Sequence, residues 1–168
     1  MRTWVRTPAG WCPFQEFMIR QRAAGPIEGV EFRGAERAAP GKPVLAAIAR
    51  AGAIFIGPSN PLASIAPILA VPGLEAALRT APAPVVAVSP FVGGEVLKGP
   101  TASFMAFAGR RCSAQGVAEL YGELLDGIVA DEDVAALPTL NTDTRMDDAA
   151  ARARVAREAL GFAGALGD

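Results

Sequence analysis

The sequence predicts an α/β fold built on a mostly parallel sheet, and three observations predict it. Short apolar runs at 53–56, 84–89 and 128–131 lack polar alternation, the pattern of strands covered on both faces. Turn residues and then a helical pattern follow the first two of these runs, so strands alternate with helices. With 18 glycines and 14 prolines against 7% aromatics, the composition fits many tight turns. Helices then cover both faces of the sheet through right-handed crossovers, in a three-layer Rossmann-like arrangement. The 168 residues, 51% hydrophobic and 20% charged, are enough for one core, so 1–168 reads as a single α/β domain.

The elements follow in order. Residues 5–10 read as a strand running into a turn. Residues 11–20 read as a short helix rich in aromatics, and their Trp and Phe side chains are expected to pack under a loop rather than form a stacking platform. Residues 30–34 read as a strand. Pro43 starts a helix whose Val44, Ala47, Ile48 and Ala51 make one apolar face. The run at 53–56 reads as a buried strand that Gly57 and Pro58 stop. Ser59 and Asn60 are natural N-cap residues for the helix that begins around Ser64.

A second helix follows Pro72. The valines of 84–89 form the next strand, which ends in the Ser89 to Gly99 stretch. Helices are expected over 101–108 and 114–125, the latter burying Val117, Leu120, Tyr121 and Leu124. Residues 128–131 form a third buried strand and 139–144 a fourth, very short one. Asp147 caps a last helix over 148–166, with Ala151, Val155, Ala159 and Phe162 buried and Arg152, Arg154 and Arg157 solvated.

Composition excludes several classes of function. A net charge of −1 offers nothing for nucleic acid. No apolar run reaches the length of a membrane span, and the first residues hold no apolar signal core. Cys12 and Cys112 lie far apart, form no metal spacing, and read as reduced thiols of a cytoplasmic protein. Histidine is absent, which removes imidazole bases, His-bound zinc and Ser-His or Cys-His pairs. Chemistry here falls to carboxylates, lysine, backbone donors or a magnesium-like ion.

In a parallel sheet, ligands bind beyond the carboxyl ends of the strands. Gly57 to Asn60, Ser89 to Gly99, Asp131 and Asn141 to Thr144 all follow strands and are expected on one edge. The turn at Gly57 opens into a capped helix, an arrangement that suits a phosphate. An ordinary strand-to-helix turn fits the same residues equally well. Gly93 and Gly94 permit close ligand approach, and Lys98 sets one positive charge beside them.

These residues carry a resemblance. Ile56-Gly-Pro-Ser-Asn-Pro with Ser64-Ile-Ala-Pro-Ile-Leu, Val86-Ala-Val-Ser-Pro with Gly93-Gly94, and Lys98-Gly-Pro closely resemble the CofD family, the 2-phospho-L-lactate transferases of coenzyme F-420 biosynthesis. Phe14-Gln-Glu-Phe, Phe32-Arg-Gly-Ala, Ser113-Ala-Gln-Gly-Val-Ala-Glu-Leu-Tyr and Thr142-Asp-Thr-Arg-Met extend the match along the chain.

The resemblance implies a CofD-like fold and Mg²⁺-dependent transfer of a phospholactate or phosphoenolpyruvate unit. The donor is linked to guanosine diphosphate, the acceptor is the deazaflavin Fo, and GMP leaves. It implies that Gly57, Pro58, Ser59, Asn60 and Ser64 hold the donor's phosphates and nearby groups. It places Ser89, Gly93, Gly94, Lys98 and Gly99 as neutralising charge on the same ligand, with Asp143 and Thr144 on the rim.

The matched motifs belong to the family's carboxyl-terminal half. The Gly-rich turn and Mg²⁺-holding aspartates of the other half have no counterpart here, so the fold is expected to be partial and the chain inactive alone. The short connection between Ala136 and Thr139 leads us to expect a displaced or lost last strand. An uncovered sheet edge or face is expected too, inviting association such as a homodimer. A second reading is the UDP-sugar-binding regulatory branch of the same fold, the gluconeogenesis-factor type, against which Asn60-Pro61 argues. A third is a remnant that binds nothing.

Overall fold

The computed structural model describes residues 1–96, 99–135 and 137–167. The amino-terminal region forms a small antiparallel sheet. Strand β1 (Arg2–Thr7) pairs on one side with β2 (Gly10–Pro13) and on the other with β3 (Gly29–Arg33), and helix α1 (Phe14–Ile19) lies between β2 and β3 in the chain. The alternation of β1 sets its faces. Val5 and Thr7 are buried, while Trp4 and Arg6 lie on the other face. There the Arg33 guanidinium sits 4.1 Å from the Trp4 ring centroid and 5.3 Å from that of Trp11. The phenylalanines behave differently. Phe14 and Phe17 meet Phe104 edge-on, with centroids 6.1 and 6.5 Å apart. The phenylalanines thus pack into the core as expected of aromatics, but against a helix (Thr101–Phe107) rather than under a loop, whereas the tryptophans lie against arginine on the outer face.

Helix α2 (Lys42–Arg50) starts with proline in its first turn, as expected, but buries no residue. Of the apolar face read from the sequence, Val44 is 47% exposed while Ile48 and Ala51 are half-buried, and the helix lies against Leu74–Arg79, so that face is only partly covered.

The central sheet contains β4 (Ile54–Ile56), β5 (Val85–Val88), β8 (Gly127–Ala130) and β9 (Thr139–Asn141), all parallel and neighbouring in that order. The short strands β6 (Phe91–Val92) and β7 (Glu95–Val96) form a separate hairpin after β5. Between β4 and β5 run a π-type turn (Pro61–Ile65), α3 (Ala66–Leu69) and α4 (Leu74–Arg79). Helices α5 (Thr101–Phe107) and α6 (Ala114–Tyr121) precede β8.

One face of the sheet, with Ile56, Val85, Ala87, Ile128 and Ala130, packs against Leu69, Leu78, Val117, Tyr121 and Leu124 from these connections. The other face, with Val86, Val88 and Val129, packs against Ala159 and Ala163 of the long helix α7 (Ala149–Gly167). The predicted three layers are therefore present.

Four details differ from the sequence reading. First, β4 is an edge strand, and Phe55 is 38% exposed; its apolar run reflects a buried inner side only. Second, β9 is neither displaced nor lost. Three residues suffice for a parallel ladder, with Val129 opposite Leu140, and Pro138 O accepts from Ile128 N at 3.0 Å. Third, Asp148, not Asp147, caps α7, its Oδ1 accepting from Ala151 N at 2.7 Å. Fourth, the buried stripe of α7 runs through Val155, Ala159 and Ala163, with Ala151 and Phe162 at its margin. No helix among the described residues is long and apolar enough to cross a membrane.

Candidate functional site

Segments that follow β4, β5 and β9 enclose one cavity of about 570 Å³, and α1 closes its side with Phe14 and Met18. Its position beyond the carboxyl ends of parallel strands is where such sheets hold ligands, and its volume lies in the range of small-molecule sites. Of the residues singled out from sequence, Pro58, Ser59, Asn60, Ser64, Ser89, Gly99 and Thr144 lie on the wall. Gly57, Gly93, Gly94 and Asp143 do not. Lys98 lies outside the described residues.

The turn after β4 is shaped by Asn60. Its Oδ1 accepts from Leu62 N at 2.9 Å and from Ala63 N at 2.8 Å, which caps the π-type turn. Its carbonyl accepts from Ser64 N at 2.9 Å and Ile65 N at 3.2 Å, and Ser59 N donates to Gly57 O at 2.7 Å. Pro61 has no N–H to offer. Instead of the free N–H row expected at this helix start, the turn presents the hydroxyls of exposed Ser59 and Ser64. Asn60 Nδ2 donates to Thr101 Oγ1 at 3.4 Å, tying the turn to the start of α5.

The segment after β5 begins with a hairpin, and its Ser89, Val92 and Gly99 lie on the cavity wall. Buried Ser89 starts it, its Oγ accepting from Phe91 N at 3.1 Å. Gly93 and Gly94, at φ +61° and +76°, are the two central residues of its turn, a conformation that glycine adopts without strain. The Asp131 carboxylate accepts from Gly93 N, and neither residue lies on the cavity wall. Asp131, expected at the shared edge, thus acts on the hairpin.

Beyond β9, Thr142 N donates to Ala130 O at 2.8 Å and extends the ladder. Arg154, expected in a solvated face, clamps the segment. Its guanidinium donates to Asp143 O at 2.7 Å and to Thr142 Oγ1 at 3.2 Å, and lies 3.7 Å from the Asp143 carboxylate. Asp143 Oδ1 also accepts from Arg145 N at 2.9 Å. These contacts carry Thr144 into the cavity, where it is 2% exposed and its hydroxyl has no partner.

Sequence reasoning missed Phe14, Met18, Thr101 and Met146 as wall residues. Thr101 carries the one available signal, a hydroxyl directly after Gly99-Pro100. Nothing in the pattern of α1 announces that it reaches the sheet edge.

The Mg²⁺ that the resemblance implies finds no fit here. Asp147 is on the wall, but Asp131 and Asp143 are engaged with backbone N–H groups. Among the described residues no group of three or more Asp, Glu, Cys or His side chains could hold a metal ion.

Residues 1–161 match the family model for 2-phospho-L-lactate transferase CofD. The chain is 46% identical over 158 residues to a 2-phospho-L-lactate transferase of Halobacterium salinarum, covering 92% of this chain and 46% of the relative. It is 38% identical over 166 residues to a 2-phospho-L-lactate transferase of Methanopyrus kandleri, covering 94% of this chain and 53% of that one. It is 42% identical over 160 residues to a phosphoenolpyruvate transferase of Streptomyces coelicolor, covering 89% of this chain and 50% of the relative. The chain spans about half the length of the curated relatives it matches. With the family match running over residues 1–161, through nearly every element, the chain belongs to the CofD family.

Proposed function

We propose that this chain forms one wall of the active site of a CofD-type transferase of coenzyme F-420 biosynthesis. The reaction moves a phospholactate or phosphoenolpyruvate unit from a guanosine-diphosphate-linked donor to Fo and releases GMP. The observation that carries the proposal is the cavity where the segments after β4, β5 and β9 meet, in a chain matched to the family over residues 1–161. Transfer of this kind rests on positioning and charge neutralisation more than on a side-chain nucleophile, which suits a chain without histidine. The Gly57 to Ser64 turn and the Ser89 to Gly99 segment, with Lys98, position the ligands. Asp143 and Thr144 stand at the rim. Mg²⁺ is bound by residues outside those described. The protein acts in the cytoplasm.

The free edge of β4, with half-exposed Phe55, accommodates the additional structure that the full reaction requires. Association of two copies gives a homodimer.

The test is nucleotide preference. Calorimetry of the purified chain with GDP and with a UDP-sugar should show tighter binding of GDP. Preference for the UDP-sugar replaces this reading with that of a regulatory UDP-sugar binder. With donor, Fo and Mg²⁺ supplied, the chain alone should release no GMP; clear release refutes the division of the site between this chain and further structure.

A further inference from the structure

The cavity wall that follows β5 consists of Ser89, Pro90, Val92, Gly99 and Pro100. Two hydrogen bonds fasten this stretch to the end of β8. Ser89 N donates to Val129 O at 2.9 Å, which prolongs the β5–β8 ladder by one bond. Beyond it, half-buried Asp131 accepts from Gly93 N at the turn between β6 and β7. Phe91, between these points, is fully buried in the core. Past Phe91, the Asp131 bond is the one hydrogen bond among the described residues that joins the hairpin to another element.

The next carboxylate in the chain offers a comparison. Glu132 accepts from Ala114 N at the start of α6, where Ser113 Oγ also accepts from Gly116 N at 3.1 Å. Neither Glu132 nor any residue of α6 lies on the cavity wall. Two neighbouring acids thus hold two different segments, and one of those segments is a wall of the cavity.

We infer that Asp131 is a positioning residue for the cavity. By holding Gly93 N it fixes the hairpin, and with it Val92 and Gly99 in the wall, so ligand affinity depends on a carboxylate that is not itself on that wall. The inference rests on the proposed nucleotide site for its choice of probes. Charge and position act here with opposite signs. Asp131 lies at the carboxyl end of the sheet, where its negative charge repels an anionic ligand. As the anchor of the hairpin it strengthens binding of the same ligand. Linkage adds a second consequence: if the held hairpin favours the ligand, the ligand favours the held hairpin by the same factor.

The experiment measures GDP and UDP-glucose binding by calorimetry for the wild-type chain, Asp131→Ala, Asp131→Asn and Glu132→Ala. Asp131→Ala should weaken the preferred nucleotide about three- to tenfold, for one lost charge-assisted bond at a half-exposed position, although it removes a negative charge. Asp131→Asn keeps an oxygen acceptor for Gly93 N without the charge, and should bind at least as tightly as the wild type. Glu132→Ala should melt at a lower temperature without weakening the nucleotide. In the wild-type chain, saturating nucleotide should slow amide exchange at Gly93 by a similar factor, about three- to tenfold. That readout needs no variant and carries the test should Asp131→Ala fail to fold.

Unchanged or tighter nucleotide binding in Asp131→Ala overturns the inference. So does a loss in Asp131→Asn or Glu132→Ala as large as that in Asp131→Ala, or exchange at Gly93 that nucleotide leaves unchanged. Failure of both nucleotides to bind overturns it together with the transferase reading. Preference for UDP-glucose with the expected pattern of variants refutes the transferase reading and leaves this one standing. Preference for GDP with Asp131→Ala unimpaired does the reverse.

Discussion

Replacing Asn60 by alanine tests how the cavity's turn is held. The side chain accepts from Leu62 N at 2.9 Å and Ala63 N at 2.8 Å, and donates to Thr101 Oγ1 at 3.4 Å. Alanine leaves both N–H groups without that acceptor, next to buried Pro61 and Ala63. Loss of an N-cap side chain costs about 0.5–2 kcal/mol, and two orphaned donors in a half-buried turn place this case near the top, about 2 kcal/mol. For a chain of 168 residues, each kcal/mol moves the melting temperature by about 2–4 °C, so a drop of about 4–8 °C is expected. Asn60→Asp keeps the cap acceptor and loses only the long bond to Thr101, so it should cost less than about 1 kcal/mol. Thermal unfolding, with urea unfolding as a cross-check, reads both. The reasoning is refuted if Asn60→Ala melts within about 1 °C of the wild type, or if Asn60→Asp falls as far as alanine.

Three further outcomes follow from single contacts. A Cβ on Gly116 would clash with the Arg111 carbonyl oxygen, so Gly116→Ala must shift backbone at the start of α6. It should lose about 1–3 kcal/mol in urea unfolding. Arg154→Met removes the clamp on 142–144; with Arg154 one-third exposed, a loss of about 1–2 kcal/mol is expected, with Arg154→Lys recovering only part of it. Burial pushes the phenol of Tyr121, the chain's one tyrosine, well above its ordinary value. The folded state then holds that proton more tightly than the unfolded chain. The resulting stability is fully present below a pH of about 10 and declines as pH rises above it, by about 1.4 kcal/mol per pH unit. Tyr121→Phe should flatten this decline in urea midpoints measured across that range.

The parallel strands were legible because a continuous apolar run such as Val85–Val88 is too short for a buried helix and lacks the alternation of a half-exposed strand. Their order was not, and so Ile54–Ile56 read as interior when it is an edge. Nothing in Phe55 itself records that one side lacks a neighbour. The amino-terminal sheet was only partly legible. Val5 and Thr7 alternate correctly, but Trp4 on the same strand is an outward residue whose apolar character is satisfied by Arg33 rather than by the core.

In the site, glycine was ambiguous for a physical reason. Positive φ serves a tight hairpin turn as well as a close ligand approach, and Gly93 and Gly94 use it for the turn. Asn60 was recognisable as a cap. That its cap closes off the N–H groups wanted for a phosphate depends on the π-type turn, which proline at its first position helps start but local spacing does not announce. Thr144 was visible as a rim residue; its missing partner is a property of everything packed around it.

The most direct test of the whole account is amide mapping of the chain by NMR during titration with GDP. The account predicts shifts confined to Ser59, Asn60, Ser64, Gly99, Thr101 and Thr144, drawn from segments after different strands and all on one cavity wall. Shifts centred on α2, on the outer face of β1–β3, or scattered without relation to that wall would contradict it.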